Sequence, residues 1–298
     1  MNEIERSGVA SAGSLQWLPL PGLINRSAAT AVQRASGRGR IGWGPGRGGL
    51  PLVERNARAY RHLWILLLTG ILEPLFYLLS VRVGLGHLVG PVTGPGGKPA
   101  GYTEFVAPAL LATSSMNGAV YDSTFNVFHK LKYAKVYDAA LSTPLGPLDV
   151  ALGEITWALS RGLLYAVTFL LVLTAMGLAT SFWLLLAVPA SVLVSFAFAG
   201  LGMAATTFMR SWKDFDFIIL ATLPMFLFST TFFPLAVYPR ALQIVVECTP
   251  LYQAVALLRA LSFGDVGPAM LGNAAYLAAL GLAGLYVASR RIRRLLLT

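Results

Sequence analysis

ALQIVVECTPLYQAVALLRALS, residues 241–262, is long enough to cross a lipid bilayer and chemically unfit to do so. A spanning helix needs about 20 mostly apolar residues, but this stretch carries Glu247, Thr249, Pro250, Gln253 and Arg259. A charge at mid-membrane costs about 3 kcal/mol on insertion scales. The stretch therefore reads as a re-entrant helical hairpin that turns at Thr249-Pro250 and leaves by the side it entered. Backbone that breaks at membrane depth must be sheltered by protein, so the hairpin is expected to lie against the helix bundle or a partner subunit.

Six other apolar stretches surround it, at about 63–85, 105–123, 150–177, 182–208, 217–234 and 268–289. Short cytoplasmic loops are enriched in Lys and Arg, which tests the count independently. With six crossings and the N-terminus inside, the inner side receives nine arginines up to Arg61, then Lys130, Lys132, Lys135, Arg210, Lys213, Arg290, Arg291, Arg293 and Arg294. The outer side and its membrane edge keep Arg82, Lys98, Arg240 and Arg259, and Arg161 falls within a span. A full crossing by 241–262 would put the RRIRR cluster outside. The expected fold is thus an all-α membrane protein with six transmembrane helices, both termini cytoplasmic, and a re-entrant hairpin before the last span.

Composition agrees: 56% of the 298 residues are hydrophobic and 12% charged, where a soluble domain carries about 25% charged residues. The net charge of +10 sits at the ends of apolar runs and in a Gly-Arg leader, which suits anionic lipid headgroups better than nucleic acid. One cysteine, Cys248, allows no intrachain disulfide, and His62, His87 and His129 have no ligand spacing. A phosphate-binding Gly-x-x-x-x-Gly-Lys-Ser/Thr loop is absent, so no cofactor is expected in this chain. Residues 1–50, with GRGRIGWGPGRGG at 37–49, read as a flexible cytoplasmic leader, and residues 51–298 as the membrane domain.

Two inner features stand out. Over 52–64, Val53, Ala57, Tyr60 and Trp64 share one helical face, with Glu54, Arg55, Arg58 and Arg61 on the other. This fits an interfacial amphipathic helix, or equally an ordinary helix start with snorkelling arginines. The loop NVFHKLKYAKVYDAALS at 126–142 places Val127, Leu131, Ala134 and Leu141 against His129, Lys130, Lys132, Lys135 and Asp138 at helical spacing. Pro144, Gly146 and Pro147 stop it. A short polar-faced helix there is a docking element, or else a loop helix held to lipid by its basic residues. The shorter inner loop Arg210, Ser211, Trp212, Lys213, Asp214, Phe215, Asp216 reads as a second contact of the same partner.

Polar residues inside the spans are functional candidates. Glu73 precedes Pro74 in the first span, where it is either mechanistic or a structural hinge. The second span offers Ser114, Asn117, Tyr121 and Asp122, which either glue helices or line a passage. Glu154 and Arg161, two turns apart on one face, lie too far apart to pair directly and are placed to bond a neighbour. Phe226, Phe228 and Thr230 in the fifth span mix aromatic rings with a hydroxyl, which suits amphiphilic cargo or simple packing.

Glu73-Pro74-Leu75-Phe76-Tyr77-Leu78 with Gly84-Leu85-Gly86, residues 102–115, Leu141-Ser142-Thr143-Pro144-Leu145 with Asp149 and Gly153-Glu154, and then Phe233-Pro234, Pro239, Leu242, Pro250-Leu251, Arg259 and Gly264 together resemble the permease subunits of ABC type-2 exporters. The branch they resemble most is that of nodulation protein J and the daunorubicin-resistance permeases, over residues 52–296. Gln253 departs from it, standing where that branch suggests a histidine, and the leader is longer than usual. The resemblance implies a transport subunit that is no enzyme by itself, paired with a second permease and two copies of a separate ATPase that holds ATP and Mg. It places His129, Lys130, Lys132, Lys135 and Asp138 in a coupling helix seated on that ATPase, with Arg210, Lys213 and Asp214 as the lesser contact. Glu73, Ser114, Asn117, Tyr121, Phe226, Phe228 and Thr230 would line the path, and Glu247, Pro250 and Arg259 would belong to an outer gate. Cargo would be a lipo-oligosaccharide, a glycolipid or, in antibiotic resistance, a hydrophobic drug, moved across a bacterial inner membrane.

Two rivals come from other classes. A proton-coupled secondary transporter would use Glu73, Asp122 or Glu154 as proton carriers and would show inverted repeats; the sequence has none. A membrane enzyme acting on lipid-linked sugar would need clustered carboxylates or histidines, whereas the acidic residues here are scattered.

Overall fold

The computed structural model describes residues 50–60, 72, 75–86, 88–97, 99–137, 145–178 and 181–296. The chain divides after Gly42, and every described residue lies in the second unit, Trp43–Thr298. The leader expected over 1–50 lies almost wholly outside the described residues, as do Glu73, Asp138 and about half of the first expected span.

Ten helices carry the described residues. They are α1 (Leu50–Tyr60), α2 (Leu75–Leu85, closing in a π turn), α3 (Tyr102–Tyr121), α4 (Val127–Lys132), α5 (Pro147–Ala175), α6 (Ala187–Thr206), α7 (Phe215–Phe228), α8 (Arg240–Glu247), α9 (Pro250–Phe263) and α10 (Pro268–Leu296). A two-stranded antiparallel ribbon pairs β1 (Val92–Thr93) with β2 (Pro99–Ala100).

Local sequence sets the starts. The Gly101 N–H donates to Glu104 and the Gly146 N–H to Asp149 Oδ2 (2.9 Å), opening α3 and α5. Pro147 and Pro250 occupy first-turn positions, where a missing N–H costs nothing. Thr249 Oγ1 accepts the Tyr252 N–H at the start of α9, and Gly264, at φ 71°, ends that helix in the left-handed region.

Among the described residues three helices are long and apolar enough to cross a membrane, at Pro147–Ala175, Phe182–Thr206 and Pro268–Leu295. They coincide with the spans read at 150–177, 182–208 and 268–289. The helix at 102–121 is long enough but less apolar, with Thr113, Ser114, Ser115 and Asn117 along it. The fifth expected span, 217–234, is helical only through Phe228; its 14 residues rise about 21 Å, short of the roughly 30 Å hydrocarbon core. α8 and α9 pass the length test only as a pair, bent by 83° at Cys248-Thr249, where the proline was expected to break the stretch.

Contacts define two ends. At one, the Arg82 guanidinium donates to the Met176 carbonyl (3.0 Å), Tyr102 Oη reaches the Phe232 carbonyl (3.4 Å), and Gly264 lies against Ser181 and Trp183. At the other, Lys130 meets Glu154 and Arg291 meets the Thr207 carbonyl. The chain enters α8 and leaves α9 at the first of these ends. Their turn reaches only to Tyr276, whose hydroxyl donates to the Cys248 carbonyl (2.8 Å). Eight residues into α10 is a depth of about 12 Å.

Small residues let the long helices close up. Gly200 on α6 faces Gly281 and Gly284 on α10, where an added Cβ on Gly200 would sit 2.6 Å from the Gly281 carbonyl oxygen. Gly162 on α5 similarly admits Ser195, and Gly202 admits Ser123. Between apolar helices in lipid, such close approach supplies the dispersion that hydrophobic exclusion of water cannot.

Two expectations about local structure are corrected. Among the described residues of the helix read over 126–142, which end at Tyr137, the helix runs on from the preceding π turn through Lys132, breaks, and resumes at Val136–Tyr137; Lys135 in the break takes φ 46°. Tyr133 leaves the helix to stack on Trp212, a tertiary contact that periodicity does not register. On α1 the buried side is carried by Leu52 and Asn56, while Ala57 is exposed, because Asn56 turns toward a buried carboxylate on α5.

A Cβ on Gly284 would land within the backbone of Gly200. Gly284→Leu is expected to destabilise the bundle by about 1–3 kcal/mol, read as a lower melting temperature in detergent. Gly272→Ala, with nothing within 4 Å, should melt like the parent. Equal melting of both variants would refute the close α6–α10 contact.

Candidate functional site

Three buried charged groups and one aromatic cluster organise the molecule. At the Lys130 end, Glu154 on α5 is 5% exposed and accepts from Lys130 Nζ (2.7 Å), Asn56 Nδ2 (3.0 Å) and Arg55 (3.3 Å). Lys130 Nζ also donates to Asn56 Oδ1 (3.0 Å). Burial holds the Lys130 ammonium pKa below its ordinary value, against the opposing pull of Glu154. Burial, then the nearby Glu154 charge, pushes the Tyr137 phenol well above its ordinary range. One carboxylate thus ties α1, α4 and α5 together.

Halfway along the bundle, Arg161 on α5 pairs with Asp122 and bonds the Tyr165 hydroxyl (2.5 Å). Asp122 opens the π turn at Asp122–Asn126 that joins α3 to α4, so the ion pair sits where the helix has gained a residue. Thr206 Oγ1 on α6 donates across to the Ser123 carbonyl in that same turn (2.9 Å). The sequence reading that Glu154 and Arg161 each bond a neighbour, and not each other, holds.

Arg259 on α9 is the third. Its guanidinium lies 3.8 Å over the Phe105 ring and donates to the carbonyls of Phe105 (3.3 Å) and Thr230 (2.9 Å) and to Thr230 Oγ1 (3.4 Å). Thr230 itself is buried with φ 60°.

The aromatic cluster joins the two connections at the Lys130 end. Phe125, Phe128 and Tyr133 from the first meet Trp212 and Phe215 from the second, with ring centroids 4.1 Å apart for Phe125–Phe215, 5.1 Å for Phe128–Trp212 and 5.7 Å for Tyr133–Trp212. His129 stacks on Tyr133 (6.1 Å). Asp214 Oδ2 accepts the backbone N–H groups of Arg210 (2.6 Å) and Ser211 (3.1 Å), which hold its carboxyl below the ordinary value. Asp214 therefore shapes its own loop, while Lys132, Lys135, Arg210 and Lys213 are exposed around the rings.

The remaining candidates are dispersed. Ser114, Asn117 and Tyr121 follow one side of α3, with Asn117 and Tyr121 exposed, and Tyr121 stacks on Phe125 (5.1 Å). Phe226 rests edge-on against Phe232, and Phe228 lies near Tyr238. Glu247 lends its carbonyl to Gln253 Nε2 (2.6 Å), and Pro250 opens α9. No group of three His, Cys, Asp or Glu able to hold a metal occurs among the described residues.

The model of the family described as ABC-2 type transporter matches residues 51–263. This chain belongs to that family. The ABC-2 match runs from α1 to the end of α9, taking in all three charged groups and the aromatic cluster and leaving α10 outside. Nodulation protein J of Rhizobium leguminosarum bv. trifolii is 32% identical over 213 residues, 71% of this chain and 79% of that protein. Its namesake in Sinorhizobium fredii is 33% identical over 208 residues (69% and 78%), and that of Bradyrhizobium diazoefficiens 29% over 236 (78% and 85%). ABC-2 membership makes the chain a membrane permease subunit for transport, as the resemblance implied, with an ABC ATPase as the family's general partner.

Sequence reasoning missed the tertiary partners of Glu154, although a signal was present. Lys130, three residues after Val127 and four before Ala134, stands at the border of the apolar stripe, where a long cationic side chain can turn inward to a buried carboxylate. Removing Glu154 leaves Lys130 and Arg55 without their counter-charge. Glu154→Ala is expected to cost about 3–5 kcal/mol and Glu154→Gln less, measured by chemical or thermal unfolding in detergent; an unchanged melting point for Glu154→Ala would contradict the knot.

Proposed function

We propose that this chain is the membrane-spanning subunit of an ATP-driven exporter that moves an amphiphile, such as a lipo-oligosaccharide, a glycolipid or a hydrophobic drug, out of the cytoplasm or inner leaflet. It works with a second permease, identical or related, and with two copies of a separate ATPase carrying ATP and Mg. The membrane is the bacterial inner membrane, crossed six times with both termini cytoplasmic. The Lys130 end is the cytoplasmic end, since it gathers the basic loops and the start of the RRIRR cluster. The α8–α9 pair is a re-entrant hairpin in the outer half, a reading supported by its flanks meeting at one end and its turn stopping near Tyr276.

The observation that carries the proposal is the aromatic cluster. It makes two inner connections, separated by about 80 residues of sequence, into one firm surface ringed by Lys132, Lys135, Arg210 and Lys213. A motor gripping that surface moves α3–α4 and α7 together, and the Lys130–Glu154 contact passes the movement to α5 and α1. Such a bundle switches between two packings under bias from nucleotide, not by smooth deformation. Glu73, Ser114, Asn117, Tyr121, Phe226, Phe228 and Thr230 remain the proposed path, and Glu247, Pro250 and Arg259 the outer gate.

Charge reversal of the exposed ring, Lys132→Glu with Lys213→Glu, is expected to lower substrate-stimulated ATP hydrolysis at least tenfold in proteoliposomes holding both subunits, with the permease melting temperature unchanged. Full stimulation and efflux in that variant would refute the docking surface, and efflux driven by a proton gradient without nucleotide would refute ATP coupling.

A further inference from the structure

We infer that the cavity beside Arg259 binds a phosphate-type oxyanion, and that Arg259 is its recognition residue. The cavity, about 380 Å³, opens between the ribbon loop, the start of α10 and the α8–α9 hairpin, and is lined by Phe105, Thr230, Tyr252, Arg259, Asp265 and Asn273 among others. That volume lies within the range of small-molecule sites.

The argument is one of charge. Arg259 is 8% exposed and forms no ion pair among the described residues. A guanidinium stays charged at any physiological pH, and burying such a charge without a counter-ion costs several kcal/mol. The other two deeply placed cations each have a carboxylate, Lys130 with Glu154 and Arg161 with Asp122. Arg259 has only neutral acceptors and the Phe105 ring face. Those three bonds use three of its five N–H donors, leaving two for a ligand in the cavity it lines.

A second, independent feature points the same way. Thr230 holds a left-handed backbone, uncommon outside glycine and costly by about 1 kcal/mol or more, and in that conformation its carbonyl and hydroxyl both receive Arg259. The chain accepts strain to fix the direction of this guanidinium. A fork of fixed orientation suits the paired oxygens of phosphate. Tyr252 and Asn273 add neutral donors, and Asp265, which also lines the cavity, selects against highly charged anions and favours a monoanionic phosphodiester.

The oxyanion can come from a membrane phospholipid or from free phosphate, and the test separates them. It uses the full permease alone in neutral detergent, so its outcome is separable from that of ATP-coupled export. Melting is followed with dihexanoyl phosphatidylglycerol, with dihexanoylglycerol, which lacks the phosphate, and with inorganic phosphate. Saturable stabilisation by phosphatidylglycerol and none by dihexanoylglycerol is expected; added stabilisation by inorganic phosphate would identify a free-anion site, and its absence a lipid site. Arg259→Gln should weaken apparent affinity at least tenfold. Ala256→Phe, which fills the cavity while keeping the guanidinium, should do the same if Arg259→Gln does not fold. Equal shifts with and without the phosphate group, or a parent-like response in Ala256→Phe, would overturn the inference.

Discussion

Hydrocarbon cannot solvate a charge, so an ionised side chain inside this bundle must find its compensation in protein or in a bound ligand. Glu154 is where that constraint shapes most of the molecule. Its carboxylate receives Lys130, Asn56 and Arg55 from two other elements, and those bonds place α1 and α4 against α5 at one end. With that end fixed, the rod formed by α3 and α4 carries the Asp122–Arg161 pair deeper into the bundle, at the π turn. Buried pairs of this kind are weak evidence for stability, because desolvation offsets their attraction. Their effect is to make alternative helix registers expensive.

The same constraint explains how surface loops gain rigidity. Phe125, Phe128 and Phe215 bury against one another under Trp212 and Tyr133, and the helix gives up its continuation at Tyr133 to complete the stack. The two connections are thereby packed into one unit at the end of α4 and the start of α7. Under the proposed function, this is the element that would convert a push from the motor into helix displacement. Gly200, Gly281 and Gly284 let α6 and α10 lie backbone to backbone alongside it.

Much of the architecture was legible because it follows from local chemistry. The apolar runs at 150–177, 182–208 and 268–289 are long helices, and Pro250 broke the 241–262 stretch where proline chemistry requires. The site was less legible because its partners are distant in sequence: Lys130 and Glu154 are 24 residues apart, Asp122 and Arg161 39, and Arg259 and Phe105 154. Helical periodicity assigned Lys130 to a polar face and left Asn56 unremarked, yet both turn inward to a carboxylate that no single-helix pattern contains. The left-handed turns at Lys135 and Thr230 were equally hidden, since neither residue type favours that region and tertiary contacts hold them there.

The central claim is that the Lys130 end faces the cytoplasm and the Gly264 end the exterior, with α8 and α9 entering and leaving on the outer side. In a Cys248→Ser background, Lys132→Cys, Lys213→Cys and Asp265→Cys can be probed singly in intact cells with a membrane-impermeant maleimide. The account predicts labelling of Asp265→Cys from outside and of Lys132→Cys and Lys213→Cys only after permeabilisation. Labelling of Asp265→Cys and Lys132→Cys from the same side would contradict it.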